Sequence, residues 1–144
     1  MSTLRELVSG SPEETEAAGE RLGRTLSAGD LLLLAGELGA GKTTLVRGLA
    51  RGLGVSGAVQ SPTFQLVRVH SGPIPLAHVD IYRLGSAAEL GELGLEEMLD
   101  DGVVVIEWGS RLLNPPGRSG RLDIEPLGPD SRRLRLAGPD SWSL

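Results

Sequence analysis

Leu31-Leu32-Leu33-Leu34-Ala35-Gly36-Glu37-Leu38-Gly39-Ala40-Gly41-Lys42-Thr43-Thr44 is the stretch that decides the fold. The unbroken apolar run Leu31 to Ala35 reads as a strand buried on both faces of a parallel sheet. It runs straight into a glycine-rich turn, and a helix of about a dozen residues, Lys42 to Leu53, follows. Gly36 to Thr43 satisfies G-x-x-x-x-G-K-[ST] at every fixed position. Strand, glycine loop and helix in that order make this pattern a phosphate-binding P-loop rather than a chance match. Lys42 is the only lysine of the chain; the other 13 of its 14 basic residues are arginine. A compact ammonium reaches between two phosphates, where a guanidinium presents a wider planar fork.

In such a loop the backbone N–H groups of residues 38–43 turn inward around the phosphates, and the helix start adds its positive dipole end. Gly36, Gly39 and Gly41 permit close approach or positive φ. Leu38, Ala40 and Thr44 belong to the same cradle. Lys42 is expected to bridge the β- and γ-phosphates of ATP, and the Thr43 hydroxyl to ligate Mg²⁺. The metal also needs a carboxylate at the end of a neighbouring buried strand. Leu76-Ala77-His78-Val79-Asp80 ends in Asp80, and Val103-Val104-Val105-Ile106-Glu107 ends in Glu107. Either acid could ligate the metal directly, act through water, orient the attacking water, or be an exposed acid at a strand end. Ser61-Pro62-Thr63-Phe64 is either a switch segment ordered by the γ-phosphate or a turn entering a strand. Arg83 is a candidate clamp on phosphate or partner, and His78 a candidate to orient Asp80.

The rest of the chain fits this frame. A length of 144 residues is that of one domain, expected over 1–144 with residues 138–144 as a loose tail. Ser11-Pro12-Glu13-Glu14 is a capping box that opens a helix ending near Gly29. Residues 3–8, 59–69, 74–84, 103–106, 121–125 and 132–136 read as strands. Ser86-Ala87-Ala88-Glu89 opens short helical segments carrying Leu90, Leu93, Leu95, Met98 and Leu99, and 114–117 is a loop. The expected architecture is a three-layer α/β P-loop NTPase fold. Its central sheet is mostly parallel, with an antiparallel excursion over 59–82 and helices on both faces.

Composition removes other classes. There is no cysteine, hence no disulfide and no thiolate catalysis. A net charge of −5 argues against gripping nucleic acid by bulk electrostatics. No apolar run approaches a membrane span and the N-terminus has no signal-peptide core, so a cytoplasmic location is expected. Charge is uneven: residues 84–110 carry acids and no base, whereas residues 111–135 carry six arginines. A solvated helix face with charged edge strands accounts for this, and a docking surface is the alternative.

Four ordered blocks resemble one family: Gly36 to Leu45, Ser61-Pro62-Thr63-Phe64, His78-Val79-Asp80-Ile81-Tyr82-Arg83, and Ile106-Glu107-Trp108. It is the bacterial tRNA threonylcarbamoyladenosine biosynthesis ATPase family, TsaE, formerly YjeE. The resemblance covers nearly the whole chain, and Gly109 departs from the proline the family often has there. It implies an accessory ATPase, slow alone, that resets the TsaD–TsaB transferase pair. That pair modifies the adenosine 3′ of the anticodon, so tRNA is met only through the complex. It further implies that Thr43 and Glu107 hold Mg²⁺, that Asp80 assists catalysis, that Ser61–Phe64 is the switch, and that Trp108 lies close to the nucleotide. Ser110, Arg111 and the Ser9–Ser11 segment border it more loosely, and His78, Tyr82 and Arg83 are candidate partner or phosphate contacts.

Three other readings of the P-loop conflict with the residues present. A small GTPase would carry Asn-Lys-x-Asp, but the only asparagine is Asn114, before Pro115. A small P-loop kinase would need an arginine-rich lid, and Arg118, Arg121, Arg132 and Arg133 lack the spacing. A nucleotide-gated binding module with negligible turnover would not need Lys42, Thr43, Asp80 and Glu107 all intact.

Overall fold

The structure is a computed structural model, and it describes residues 2–37, 41–55, 67–80, 94–107 and 118–144. The expected strand ends at 59–66 and 81–84, the helix start at Ser86 with Leu90 and Leu93, and the 114–117 loop lie outside these residues. In chain order the described elements are β1 (Ser2–Ser9), α1 (Pro12–Thr25), β2 (Asp30–Gly36), α2 (Lys42–Gly52) and β3 (Val67–His70). Then come β4 (Leu76–Asp80), α3 (Leu95–Asp101), β5 (Val103–Glu107), β6 (Arg118–Pro126) and β7 (Arg132–Pro139).

All seven strands form one sheet in the order β1-β7-β6-β2-β5-β4-β3. The centre is parallel, with β2 paired to both β5 and β6, and β4 to β5. Both margins are antiparallel: β3 on β4 at one, and β6–β7–β1 at the other. The first margin is the expected excursion. The second makes the sheet less parallel than expected. Its cause is twofold: β6 and β7 pair antiparallel as neighbours in the chain, and residues 2–9 pair antiparallel with 132–139.

Leu31, Leu32, Leu34 and Val103 to Ile106 are all 0% exposed. A strand covered on both faces has no polar side to show, hence the two unbroken apolar runs. One face of the sheet carries α1 and α2 over Leu32, Leu34, Val103, Val105, Leu122 and Leu134. The other carries α3, whose Leu95 and Leu99 pack on Leu31, Val79, Val104 and Ile106.

The Ser11 hydroxyl accepts from Glu14 N–H at 3.1 Å, and the Glu14 carboxylate accepts from Gly10 N–H at 2.6 Å. That reciprocal cap fixes the start of α1. The helix stops at Thr25, short of Gly29, because Leu26 turns extended and buries itself at 3% exposure. Asp30 closes the turn that follows, accepting from Ser27 N–H at 2.8 Å and pairing with Arg118 at 3.0 Å.

The helices α1 and α2 touch through glycine. A Cβ on Gly48 would meet the Glu16 carbonyl and lie 3.0 Å from Glu20 N; one on Gly52 would lie 2.8 Å from Arg24 N. Gly19 and Gly23 face Leu45 and Leu49 backbone in the same way. Glycine at these positions lets two backbones meet with no side chain between them.

Residues 138–144 are not a loose tail. Gly138 and Pro139 end β7, and Trp142 is 0% exposed. Its indole lies over Gly120 and Gly138, where a Cβ on either would press on the ring. Two glycines leave the trough that the indole fills.

Candidate functional site

The parallel strands deliver their C-terminal ends to one edge of the sheet. There β2 ends at Gly36, and Gly41 opens α2 with φ +100° and ψ 18°. That left-handed geometry is why position 41 takes glycine. Leu45 N–H donates to Gly41 C=O at 3.0 Å, the first bond of the helix. The N–H groups before it have no side-chain cap, and the first turn holds no acid. By contrast α1 opens with a serine cap, Glu13 and Glu14. A helix start with no side-chain cap and no acid in its own first turn keeps its dipole end for an outside anion.

Lys42 stands at this helix start and is 8% exposed; Thr43 and Thr44 are half-buried beside it. Leu38, Gly39 and Ala40 of the expected cradle lie outside the described residues.

Asp80 and Glu107 are the last residues of β4 and β5 and pair in register. Glu107 also pairs with Leu34, two residues before Gly36. The alternation along β5 puts Val103, Val105 and Glu107 on the α2 side of the sheet and Val104 and Ile106 on the α3 side. Glu107 is therefore on the same side as Lys42, and it is 5% exposed. His78 is two residues before Asp80 and 0% exposed, with its Nε2 3.6 Å from Glu107 Oε2. Expected as an orienter of Asp80 or a partner or phosphate contact, it is enclosed against Glu107 and has no surface to offer a partner. Among the described residues neither of its ring nitrogens has a hydrogen-bond partner. On the neighbouring strand, burial together with the charges of His78 and Arg68 pulls the His70 pKa down.

This donor set suits a nucleotide with Mg²⁺. An ammonium and an uncapped helix start favour phosphate oxygens, and a hydroxyl with buried carboxylate favours a hard cation. The residues that could hold the metal are Thr43, Glu107 and Asp80. Among the described residues no three histidines, cysteines or acids cluster as a self-sufficient metal site.

A small cleft adjoins the helix start, lined by Pro12, Thr15, Gly41, Thr44, Asp130 and Arg132. A Cβ on Gly41 would lie 3.5 Å from Arg132 Nε. Ser9 and Thr15 share a hydroxyl hydrogen bond of 2.6 Å behind it. The Ser9–Ser11 segment thus leads into the cleft, through Pro12 and Thr15. Asp130 is not singled out by the sequence, and Arg132 enters it only as a lid arginine without the right spacing: β7 brings Arg132 to Gly41 from 91 positions away, and no local spacing signals that.

Ser61, Pro62, Thr63, Phe64, Tyr82, Arg83, Trp108, Gly109, Ser110 and Arg111 lie outside the described residues. The arginines after residue 117 are largely spent on local pairs. Arg121 meets Asp123 at 2.9 Å, Arg133 meets Glu6 at 3.3 Å and Glu125 at 3.4 Å, and Arg135 meets Glu6 at 3.2 Å. No described helix is long and apolar enough to cross a membrane.

The family profile "Threonylcarbamoyl adenosine biosynthesis protein TsaE" matches residues 9–134. The tRNA threonylcarbamoyladenosine biosynthesis protein TsaE of Streptomyces coelicolor is 52% identical over 123 residues, covering 82% of this chain and 75% of its own length. The protein of the same name from Treponema pallidum is 39% identical over 132 residues, covering 90% of this chain and 98% of its own. The crystal structure of YdiB from Bacillus subtilis superposes with a TM-score of 0.79 at 32% identity, covering 96% of this chain and 87% of that one.

Proposed function

The chain belongs to the TsaE family of tRNA threonylcarbamoyladenosine biosynthesis, and from that premise we propose that it is a Mg²⁺-dependent ATPase with the P-loop NTPase fold. The observation that carries this is the buried Lys42 at an uncapped helix start, on the same side of the sheet as the buried Glu107. In this reading Lys42 spans the β- and γ-phosphates, and the N–H groups at the start of α2 hold their oxygens. Thr43 and Glu107 would hold Mg²⁺, which would supply positive charge against the phosphate oxygens. Asp80, in register with Glu107, orients the attacking water. Water adds to the γ-phosphorus, the bond to the β-phosphate oxygen breaks, and ADP and free phosphate leave.

The accessory role belongs to the same proposal. Hydrolysis resets the TsaD–TsaB transferase pair between turnovers and is slow without it. The protein meets tRNA only through that complex, consistent with the paired arginines of β6 and β7. Phosphate release, measured with and without the purified pair, tests this. A rate that rises with the pair supports it; an unchanged rate counts against partner dependence. Label from the γ-phosphate appearing on an organic acceptor would make the protein a kinase instead.

A further inference from the structure

We infer that His78 is a positioning residue for Glu107, an inference that rests on the magnesium reading of the site. The ring sits in the middle of β4, opposite Val105 of β5 and Arg68 of β3, and is wholly enclosed. Leu76 and Val79 on the same strand and Val105 opposite it on β5 are apolar and fully buried, and Arg68, opposite it on β3, is half-buried. A side chain wanted only for volume here would be apolar too. Imidazole instead brings two polar nitrogens into an enclosed place, and both lack a hydrogen bond among the described residues. A buried unsatisfied group costs about 1–3 kcal/mol, so the position is costly unless the ring does something in return.

What it faces is Glu107. The gap between His78 Nε2 and Glu107 Oε2 is 3.6 Å, a few tenths of an ångström beyond hydrogen-bonding range. A small rotation of either side chain closes it. With the proton on Nε2, the ring then donates to Oε2 and ties that oxygen to the core, which fixes the plane of the carboxylate. An acid held in one orientation loses no rotamer freedom when it takes up a cation.

Two core-sized replacements separate positioning from packing. His78→Leu fills the space without a donor; His78→Gln places an amide N–H near the Nε2 position. The readout is equilibrium binding of a fluorescent ATP analogue, titrated with Mg²⁺. His78→Leu should raise the Mg²⁺ concentration for the half-maximal effect about tenfold while leaving metal-free nucleotide binding unchanged. His78→Gln should stay near wild type. If His78→Leu does not fold, His78→Asn, too short to reach, replaces it in the comparison with His78→Gln. Equal responses from the donor and non-donor variants, whether both normal or both weak, overturn the inference. A wild-type protein whose nucleotide binding ignores Mg²⁺ overturns the magnesium reading, and this inference with it.

Discussion

Gly48→Ala pits two effects of opposite sign against each other. In an exposed helix the change would stabilise by about 1 kcal/mol, since alanine is the better helix former. Here the new methyl would run into the Glu16 carbonyl of α1, 2.8 Å from its carbon and 3.0 Å from Glu20 N. Carbon atoms in contact sit about 3.5–4.0 Å apart, so the helices must separate by roughly 1 Å. The obstacle is backbone on both sides, so no side chain can swing away. Overpacking costs about 1–3 kcal/mol and rigid surroundings push it to the upper end, leaving a net loss of about 2 kcal/mol. For a chain of 144 residues that is a fall in Tm of about 6–8 °C. The separation would also move α2, which begins at Lys42, so nucleotide affinity should fall with stability. The assay is urea and thermal unfolding beside Arg47→Ala, on the exposed side of α2, which should stay within about 0.5 kcal/mol of wild type. A Gly48→Ala protein more stable than wild type would refute the close packing of α1 on α2.

Trp142→Ala should destabilise by about 3–5 kcal/mol in urea unfolding, because the indole is fully enclosed; a change under about 0.5 kcal/mol would mean that the C-terminus does not pack. Glu107→Ala should lose Mg²⁺-dependent phosphate release; if it hydrolyses normally while Asp80→Ala does not, the direct metal ligand is Asp80. The lowered His70 pKa means that the unfolded chain takes up a proton at this site before the folded one does. Its contribution to stability is therefore full above about pH 6.5 and is lost as pH falls below that through its lowered folded value. His70→Asn should flatten the acid limb of a stability–pH profile, and an unaltered limb would contradict the assignment.

What could be read from the sequence was what is local. Leu31 to Ala35 and Val103 to Ile106 announce buried strands because both faces are covered, and Ser11 to Glu14 announces a helix start through bonds only three or four residues long. Glu107 was found by the same logic, as the first polar residue after an apolar run. Pairing across the whole chain was not readable. The contact of β1 with β7 joins residues 2–9 to 132–139, and it adds a second antiparallel pair to the margin that β6 and β7 begin, where Arg132 reaches Gly41. Trp142 looked like part of a polar tail because its receptor is a trough between Gly120 and Gly138, and nothing near Trp142 in sequence records those two glycines. The Gly19, Gly23, Gly48 and Gly52 contacts are likewise visible only once both helices are in place.

The central claim is that Lys42 and the start of α2 hold an ATP phosphate chain with Mg²⁺ near Glu107. Titration calorimetry of ATP into wild type and Lys42→Ala, with and without Mg²⁺, tests it most directly. The account predicts saturable heat in wild type that strengthens with Mg²⁺, and a folded Lys42→Ala protein with severely weakened binding. ATP that gives no heat in wild type, or binds Lys42→Ala equally well, would contradict it.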